Sequence, residues 1–278
     1  MKIRFLGTAA AEGFPAVFCN CEYCKNVRLL GGGEFRTRSQ VLIDGALSVD
    51  YPPEAYANSL KFGVELGKLK YILATHSHMD HFYAHDFILR GYKYASVDQP
   101  VLHIYGNKEV EKVFCECTAR EMKPQVAPNI VFHTLKPYMC LQVGEYKVLT
   151  IPAMHSKTEN CLLYYIENSG KGYLHLYDTG GLEDKTFKFL VENRAFAQTV
   201  AIDCTFADHS AGEGARHMGI SEVMSIKQRL MESGVTDENT KIIITHFSHN
   251  SNPVRARLAE LEKRYNVIAA YDGFEIEI

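Results

Sequence analysis

The chain has 278 residues, of which 46% are hydrophobic and 23% are charged, and its formal net charge at pH 7 is −3. A chain of this length can bury a large core, and without a Pro-, Gly- or Ser-rich linker it is predicted to form one domain over residues 1–278. The pI near 6.5 indicates no strongly basic face, which argues against nucleic acid as a partner.

The first residues, MKIRFLGTAAA, combine two basic side chains with an Ala-x-Ala sequence, as secretory signal peptides do. The apolar stretch between them is far shorter than the ~7–15 residues that an export segment needs. We expect a first strand and a glycine turn there instead. No run of ~18 apolar residues predicts a membrane span, so the chain is predicted to be cytoplasmic.

Hydrophobic periodicity and turn residues predict strands and helices in alternating clusters. The predicted strands are at about residues 2–6, 40–44, 46–50, 71–74, 101–104, 146–151, 161–167, 172–177, 199–203, 241–245 and 273–278. The predicted helices are at about residues 54–66, 81–90, 107–118, 182–193, 220–233 and 253–264. Strand clusters interrupted by helices, in two similar halves, are typical of two sheets packed face to face with helices outside. The predicted class is therefore α/β.

A cysteine cluster occurs early in the chain, at Cys19, Cys21 and Cys24. Three thiols within six residues cannot all pair with one another, and a chain without an export signal is a poor setting for disulfides. A zinc-knuckle loop at about residues 19–24 fits better, with His249 as the fourth ligand. The alternative is a set of reduced thiols with a solvated histidine. The other cysteines are expected to be buried thiols: Cys115, Cys117, Cys140, Cys161 and Cys204.

The sequence HSHMDH at residues 76–81 directly follows the apolar run at 71–74. Three imidazoles and a carboxylate are ligands that divalent ions take in proteins, so this segment predicts a metal site. A chance cluster of histidines in an exposed loop is the alternative. A two-metal hydrolase needs further ligands, including a bridging carboxylate.

Candidate partners occur where other apolar runs end in a His or Asp. His155 follows residues 146–154, Asp178 follows 172–177, and His246 follows 241–245. Asp50 closes the second arm of a hairpin whose turn is predicted at Asp44-Gly45. Side chains at strand ends on a rigid sheet are well placed for catalysis.

In this order, these residues resemble the signature of the metallo-β-lactamase superfamily, over nearly the whole chain. The opening FLGT, the sequence HMDH and the cysteine cluster resemble the PhnP-type phosphodiesterases within it. The resemblance implies an αββα sandwich and a binuclear centre of Zn, Mn or Fe. One metal would be held by His76, His78 and His155, and the other by Asp80, His81 and His246. Asp178 would bridge them, Asp50 would orient a ligand histidine or the water, and the cysteines with His249 would hold a structural zinc.

A third polar group, after Asp178, contains Asp203, His209 and His217. PhnP-like enzymes have a comparable Asp and His after the bridging carboxylate, and we choose His217 over His209 as the proton donor to the leaving group. A solvated loop histidine is the alternative. The residues predicted to act in catalysis are thus Asp50, Asp80, Asp203 and His217.

The leading functional hypothesis is hydrolysis of a small phosphodiester, including cyclic ones, by attack of a metal-bridging hydroxide. Hydrolysis of a lactone or thioester is the first alternative, because the same nucleophile attacks carbonyl carbon. A tRNA 3′-end nuclease is the next, disfavoured by the charge. A PqqB-like metal- or cofactor-handling protein is the non-enzymatic alternative. The partner is expected to be a small molecule, with no membrane; the oligomeric state is open, and a dimer is compatible with the sequence.

Overall fold

The computed structural model describes residues 1–96, 101–212 and 214–278. Its strands are β1 (Lys2–Gly7), β2 (Gln40–Ile43), β3 (Leu47–Val49), β4 (Tyr71–Leu73), β5 (Leu102–Gly106), β6 (Ile130–Thr134), β7 (Cys140–Val143), β8 (Tyr146–Pro152), β9 (Leu162–Asn168), β10 (Lys171–Leu176), β11 (Thr199–Asp203), β12 (Lys241–Thr245), β13 (Ile268–Ala269) and β14 (Phe274–Glu277). Its α-helices are α1 (Glu22–Leu30), α2 (Ala55–Phe62), α3 (Lys108–Thr118), α4 (Asp184–Glu192), α5 (Ile220–Glu232) and α6 (Arg255–Tyr265).

The strands form two mixed sheets of seven strands each. The first has the order β14-β1-β2-β3-β4-β5-β6, and the second has the order β13-β12-β11-β10-β9-β8-β7. Three apolar clusters separate four layers. One cluster lies between the sheets, one lies between the second sheet and α4 to α6, and one lies between the first sheet and α2 and α3. The predicted α/β sandwich of four layers is therefore confirmed.

Strand β10 shows how the sequence builds these layers. Tyr173 and Tyr177 point into the cluster between the sheets, while Leu174 and Leu176 point into the cluster under the helices. Since successive side chains of a strand alternate between faces, a strand covered on both faces needs an almost continuous apolar run. In β10 the run includes one polar residue, His175, which is buried with its Nδ1 3.0 Å from the Tyr173 hydroxyl, and Asp178 follows the end of the strand.

The carboxyl ends of six strands meet at one edge of the sandwich. Strand β3 runs parallel to β4 in the first sheet, and β10, β11 and β12 are mutually parallel in the second. Strand β8 is antiparallel to β9, which is antiparallel to β10, so β8 points the same way as β10. The residues that follow these strands are therefore brought to the same edge, although they are distant in sequence.

Several elements differ from the sequence-based prediction. The segment predicted as a helix at 81–90 forms a turn and a short 3-10 helix at Ala84–Leu89. The hairpin turn contains Ala46 as well as Asp44 and Gly45, because Ile43 pairs with Leu47. Strands β6, β7 and β13 and helix α1 were not predicted, since short or half-exposed segments have weak periodicity.

One helix start and some side-chain positions also differ. Helix α5 begins at Ile220, as predicted, and the N–H of its N-cap Gly219 donates to Glu222 Oε2 at 2.9 Å, whereas α6 begins at Arg255 rather than at 253. Cys115 and Cys140 are exposed and Cys117 is partly exposed, so the expectation of buried thiols holds only for Cys161 and Cys204. None of the helices in the described ranges combines the length and apolar character that a membrane span requires.

Candidate metal centre

Three of the strand-end residues have left-handed backbone conformations. Asp50, Asp178 and His246 have φ values of 62°, 50° and 62°. A residue other than glycine rarely adopts this conformation, which costs about 1–3 kcal/mol and persists where the surrounding structure imposes it. The turn ends each strand at once and directs its side chain across the sheet edge, so Asp50 lies just beyond β3 instead of within it.

The first cluster contains His76, His78, His155 and Asp178. Its ligand atoms all lie within 4.8 Å of one another. His76 Nε2 is 2.9 Å from His78 Nδ1 and 3.3 Å from Asp178 Oδ2, and His155 Nε2 is 3.3 Å from His78 Nδ1. His78 is exposed, while the other three are buried, so this cluster has one side open to solvent.

The second cluster contains Asp80, His81, His246 and the same Asp178, and all four are buried. His81 Nε2 is 3.2 Å from both Asp80 Oδ2 and Asp178 Oδ2. His246 Nε2 is 2.6 Å from Asp178 Oδ1. The structure thus brings together all seven predicted ligand residues in two groups that share one carboxylate.

Asp50 and Thr75 orient the rings contributed by the first sheet. Asp50 Oδ2 is 2.7 Å from His81 Nδ1, and the Thr75 hydroxyl lies 2.9 Å from Asp50 Oδ1 and 3.0 Å from His76 Nδ1. With Nδ1–H donating in this way, Nε2 of His76 and Nε2 of His81 face the centre. Thr75 was not predicted, although its position directly before the HSHMDH segment is visible in the sequence.

Asp203 and Thr205 play the same part for the second sheet. The Thr205 hydroxyl is 2.8 Å from Asp203 Oδ1 and 2.9 Å from His246 Nδ1. It can accept the Nδ1–H of His246 and donate to Asp203, so His246 Nε2 is left for the centre. Each half of the sandwich therefore uses one Asp–Thr pair to fix the orientation of a ring.

Burial and the shared carboxylate set the protonation of the rings. Burial lowers the pKa of His76 well below its usual value, which keeps this imidazole neutral. Burial alone would lower the pKa of His81, but the carboxylates around it, above all Asp178, raise the pKa well above its usual value. Burial would raise the pKa of Asp178, but the nearby imidazoles, above all His246, lower it well below its usual value, so this carboxylate is ionised.

These groups fit divalent cations. In the part of the chain that the structure describes, His81 Nε2, His246 Nε2 and Asp178 Oδ1 are buried without a partner in hydrogen-bond geometry. Buried polar atoms left unpaired are costly unless something else binds them. Imidazole nitrogens and carboxylate oxygens that converge on a common point are the donors that Zn, Mn or Fe accept.

The family model of the beta-lactamase superfamily domain matches residues 40–247, a range that includes Asp50 and all seven residues of the two clusters. The chain belongs to this superfamily. With the sandwich and the two clusters, it is a metallo-β-lactamase superfamily hydrolase, and the predicted resemblance is confirmed at that level.

Three solved structures show the same fold over the whole chain. A diphosphatase from the PhnP family is 19% identical, with a TM-score of 0.72 and coverage of 100% of this chain and 97% of that chain. Zinc-bound PqqB from Methylobacterium extorquens is 16% identical, with a TM-score of 0.72 and full coverage of both chains. Human tRNase Z, short form, is 18% identical, with a TM-score of 0.71 and coverage of 100% and 99%. No curated protein sequence matches the chain.

In this metallo-hydrolase, the loop after β11 places His217 beside both clusters. Its ring centroid lies 5.1 Å from that of His155 and 5.4 Å from that of His246. His217 Nδ1 is 2.8 Å from Asp203 Oδ2, and its side chain is 23% exposed. Burial alone would lower the pKa of His217, but the hydrogen bond and charge of Asp203 outweigh it and raise the pKa to about 9.

The loop that carries His217 fits tightly against the strand end at Asp178. A Cβ added to Gly180 would lie 1.9 Å from the carbonyl oxygen of Ala215, so only glycine permits this approach. His209, the other histidine of the loop, is 61% exposed and contacts Asp208 and Arg257 instead. The structure therefore brings His217, and not His209, to the centre.

The predicted zinc-knuckle residues form a separate cluster. Cys19, Cys21, Cys24 and His249 have ligand atoms within 4.8 Å of one another. A backbone N–H from Cys24 lowers the pKa of the Cys21 thiol, which favours the thiolate that binds metal. Cys21 also caps helix α1, so this cluster fixes the start of that helix.

Glu12 is a part of this cluster that sequence reasoning missed. Its Oε1 accepts hydrogen bonds from the Ser248 hydroxyl and, at 2.9 Å, from His249 Nδ1. Burial would raise the pKa of Glu12, but these hydrogen bonds lower it, so the carboxylate is charged. A carboxylate on Nδ1 leaves Nε2 of His249 free to face the thiols, which is the arrangement found in carboxylate–histidine–zinc sites. No spacing in the sequence links Glu12 to His249.

We expect metal analysis of the purified chain to give about three equivalents, of which the cysteine cluster holds one. The substitution Cys21→Ala should remove that equivalent and lower thermal stability, because a closed zinc site stabilises the loop that it crosslinks. Cys115→Ala, at an exposed position of α3, is the matched control and should change neither value. An unchanged metal count in Cys21→Ala would exclude a zinc site at this cluster.

Proposed function

We propose that the chain is a binuclear phosphodiesterase that hydrolyses a small phosphodiester. The observation that carries this proposal is the position of Asp178, which joins two three-residue sets, His76, His78 and His155 on one side and Asp80, His81 and His246 on the other. Two cations at these sets would act as Lewis acids on phosphoryl oxygens and lower the pKa of a water molecule.

The protein's own residues hold and orient the reacting groups. Asp178 keeps both sets at a fixed separation, and Asp50 fixes the His81 ring through its 2.7 Å hydrogen bond. Asp203 fixes His217 in the same way and holds it in the protonated form at neutral pH. His217 would then donate its second ring proton to the leaving alkoxide, which is the difficult departure in a diester.

A phosphodiester suits this arrangement better than a carbonyl ester for one reason. An in-line displacement at phosphorus needs stabilisation of the attacking and the leaving oxygen on opposite sides, which paired cation sites and an adjacent acid supply together. The similar structure from the PhnP family is a diphosphatase, so that protein also acts on a phosphoryl substrate. We propose a single hydrolase domain over residues 1–278, with a structural zinc and a cytoplasmic location.

The test is a substrate comparison with the chain reconstituted with Zn²⁺ or Mn²⁺. We expect kcat/KM for bis-p-nitrophenyl phosphate to exceed that for a γ-lactone and for a thioester by at least about tenfold. A precursor tRNA carrying a 3′ trailer serves as a fourth substrate, because human tRNase Z shares the fold. Preference for the lactone or thioester would overturn the proposal, and efficient trimming of the tRNA would replace a small substrate by RNA. No turnover of any of the four would favour the metal- or cofactor-handling alternative.

A further inference from the structure

Glu159 joins the loops that follow β4, β5 and β8. Its Oε1 accepts 2.8 Å hydrogen bonds from the Ser77 N–H and from Asn107 Nδ2, and its Oε2 accepts a 2.8 Å hydrogen bond from the Ser77 hydroxyl. It lies in the β8–β9 loop, whose first part carries His155. One carboxylate therefore satisfies three donors from two other loops, and hydrogen bonds to a charged acceptor are among the stronger ones.

The contact with Glu159 fixes the backbone between two histidines of the first cluster. Ser77 lies between His76 and His78, two members of the first cluster. Both its N–H and its hydroxyl are held by Glu159, so the backbone between the two rings has little freedom. His78 is exposed, and it faces the cluster with Nδ1, the ring nitrogen nearer the backbone. Its position therefore depends on how the backbone is held.

Asn107 anchors Glu159 to the rigid part of the fold. It is buried, its Oδ1 accepts from the N–H groups of Glu109 and Val110 at the start of α3, and its Nδ2 also donates to Asn160 O at 3.0 Å. A side chain that caps a helix in this way is fixed in place. Asn107 thus fixes the loop carrying His155 through Glu159 and Asn160, and Glu159 in turn fixes the loop carrying His76 and His78 through Ser77.

We propose that Glu159 is a positioning residue that selectively holds the first cluster in its metal-binding geometry; this rests on the proposed function. Among the residues that the structure describes, Glu159 accepts hydrogen bonds from Ser77 and Asn107 and from no member of the second cluster, whose rings are oriented by Asp50 and Thr205. Loss of the Glu159 carboxylate should therefore weaken one of the two catalytic metal sites and leave the other intact.

The test is metal retention by the full-length chain after dialysis against a chelator of graded strength. Glutamine at position 159 has one acceptor oxygen and no charge. We therefore expect Glu159→Gln to bind one of its metals about tenfold more weakly than the wild type and to lose it to a correspondingly weaker chelator, as is usual when a residue that orients a metal ligand is replaced. Ser77→Ala removes one of the three hydrogen bonds and should have a smaller effect in the same direction. Glu145→Gln, in the exposed turn between β7 and β8, is the charge-matched control and should match the wild type.

The identity of the weakened site is read from cobalt(II) spectra. The one-metal form of Glu159→Gln should resemble that of His155→Ala and differ from that of His246→Ala. Equal metal retention in Glu159→Gln and wild type, or parallel weakening of every site with loss of folded structure, would overturn the inference while leaving the proposed function standing. A wild-type chain that retains no metal at the histidine clusters would overturn the proposed function itself.

Discussion

Replacement of Asp178 by asparagine should lower phosphodiester turnover by at least about a thousandfold, because several kcal/mol of charge stabilisation depend on the paired sites. Asparagine keeps the shape of the side chain but loses its charge and one acceptor oxygen. In the structure, Oδ1 lies 2.6 Å from His246 Nε2 and Oδ2 lies 3.3 Å from His76 Nε2, so each oxygen faces a different set of residues. Steady-state kinetics measure the loss of turnover, and metal analysis of the same preparation measures the loss of bound metal.

The matched control is Asp184→Asn, at the exposed start of α4 beside Arg229, which should retain full activity and metal content. For Asp178→Asn we expect at least one metal equivalent to be lost, while the zinc at the cysteine cluster is kept. A variant that keeps both catalytic metals and more than about a tenth of the wild-type rate would show that this carboxylate is not the shared ligand.

Replacement of His217 by alanine should reduce turnover by about 100-fold for a diester with an alkoxide leaving group. For a p-nitrophenyl diester the loss should be much smaller, because p-nitrophenolate leaves without needing a proton. This difference between leaving groups separates an acid from a residue that only binds phosphate, which would affect both substrates alike. The measurement is kcat for both substrates with a fixed metal.

Asp203→Asn should show the same dependence on the leaving group, because Asp203 fixes His217 Nδ1 at 2.8 Å and keeps the ring protonated. His209→Ala is the control, since that side chain is 61% exposed and lies away from the clusters. A change of less than about threefold in His217→Ala with the alkoxide substrate would remove it from the reaction.

The geometry of the clusters shows why sequence order was informative here. Each ligand follows an apolar strand, and the carboxyl ends of parallel strands meet at one edge of a sheet. Once the strands at 172–177 and 241–245 are recognised, Asp178 and His246 are expected near one another, whereas His76 follows a strand of the other sheet and reaches them through the packing of the two sheets. The prediction of Asp50 follows the same rule, although the left-handed turn that aims it is not visible in its sequence.

Other features needed the folded chain. Glu12 lies 237 residues from His249, and Glu159 lies 82 residues from Ser77, so no local pattern connects either pair. Helix α1 is capped by Cys21, a residue with no capping preference in ordinary helices. A 3-10 helix at Ala84–Leu89 stands where an α-helix was predicted, and it follows the turn that carries His78 and His81.

The sequence by itself indicated the fold class and the residues that form the two clusters. Strand periodicity places Asp50, Asp178 and His246 at or just beyond strand ends, and the resemblance to the superfamily groups them with the other members of the clusters. Tertiary structure decided which side chains hold those donors in place, because hydrogen bonds such as those of Thr205, Glu12 and Glu159 join loops distant in sequence. It also placed His217, which the sequence analysis preferred over His209, beside the clusters, since the close contact at Gly180 brings that part of the loop against Asp178.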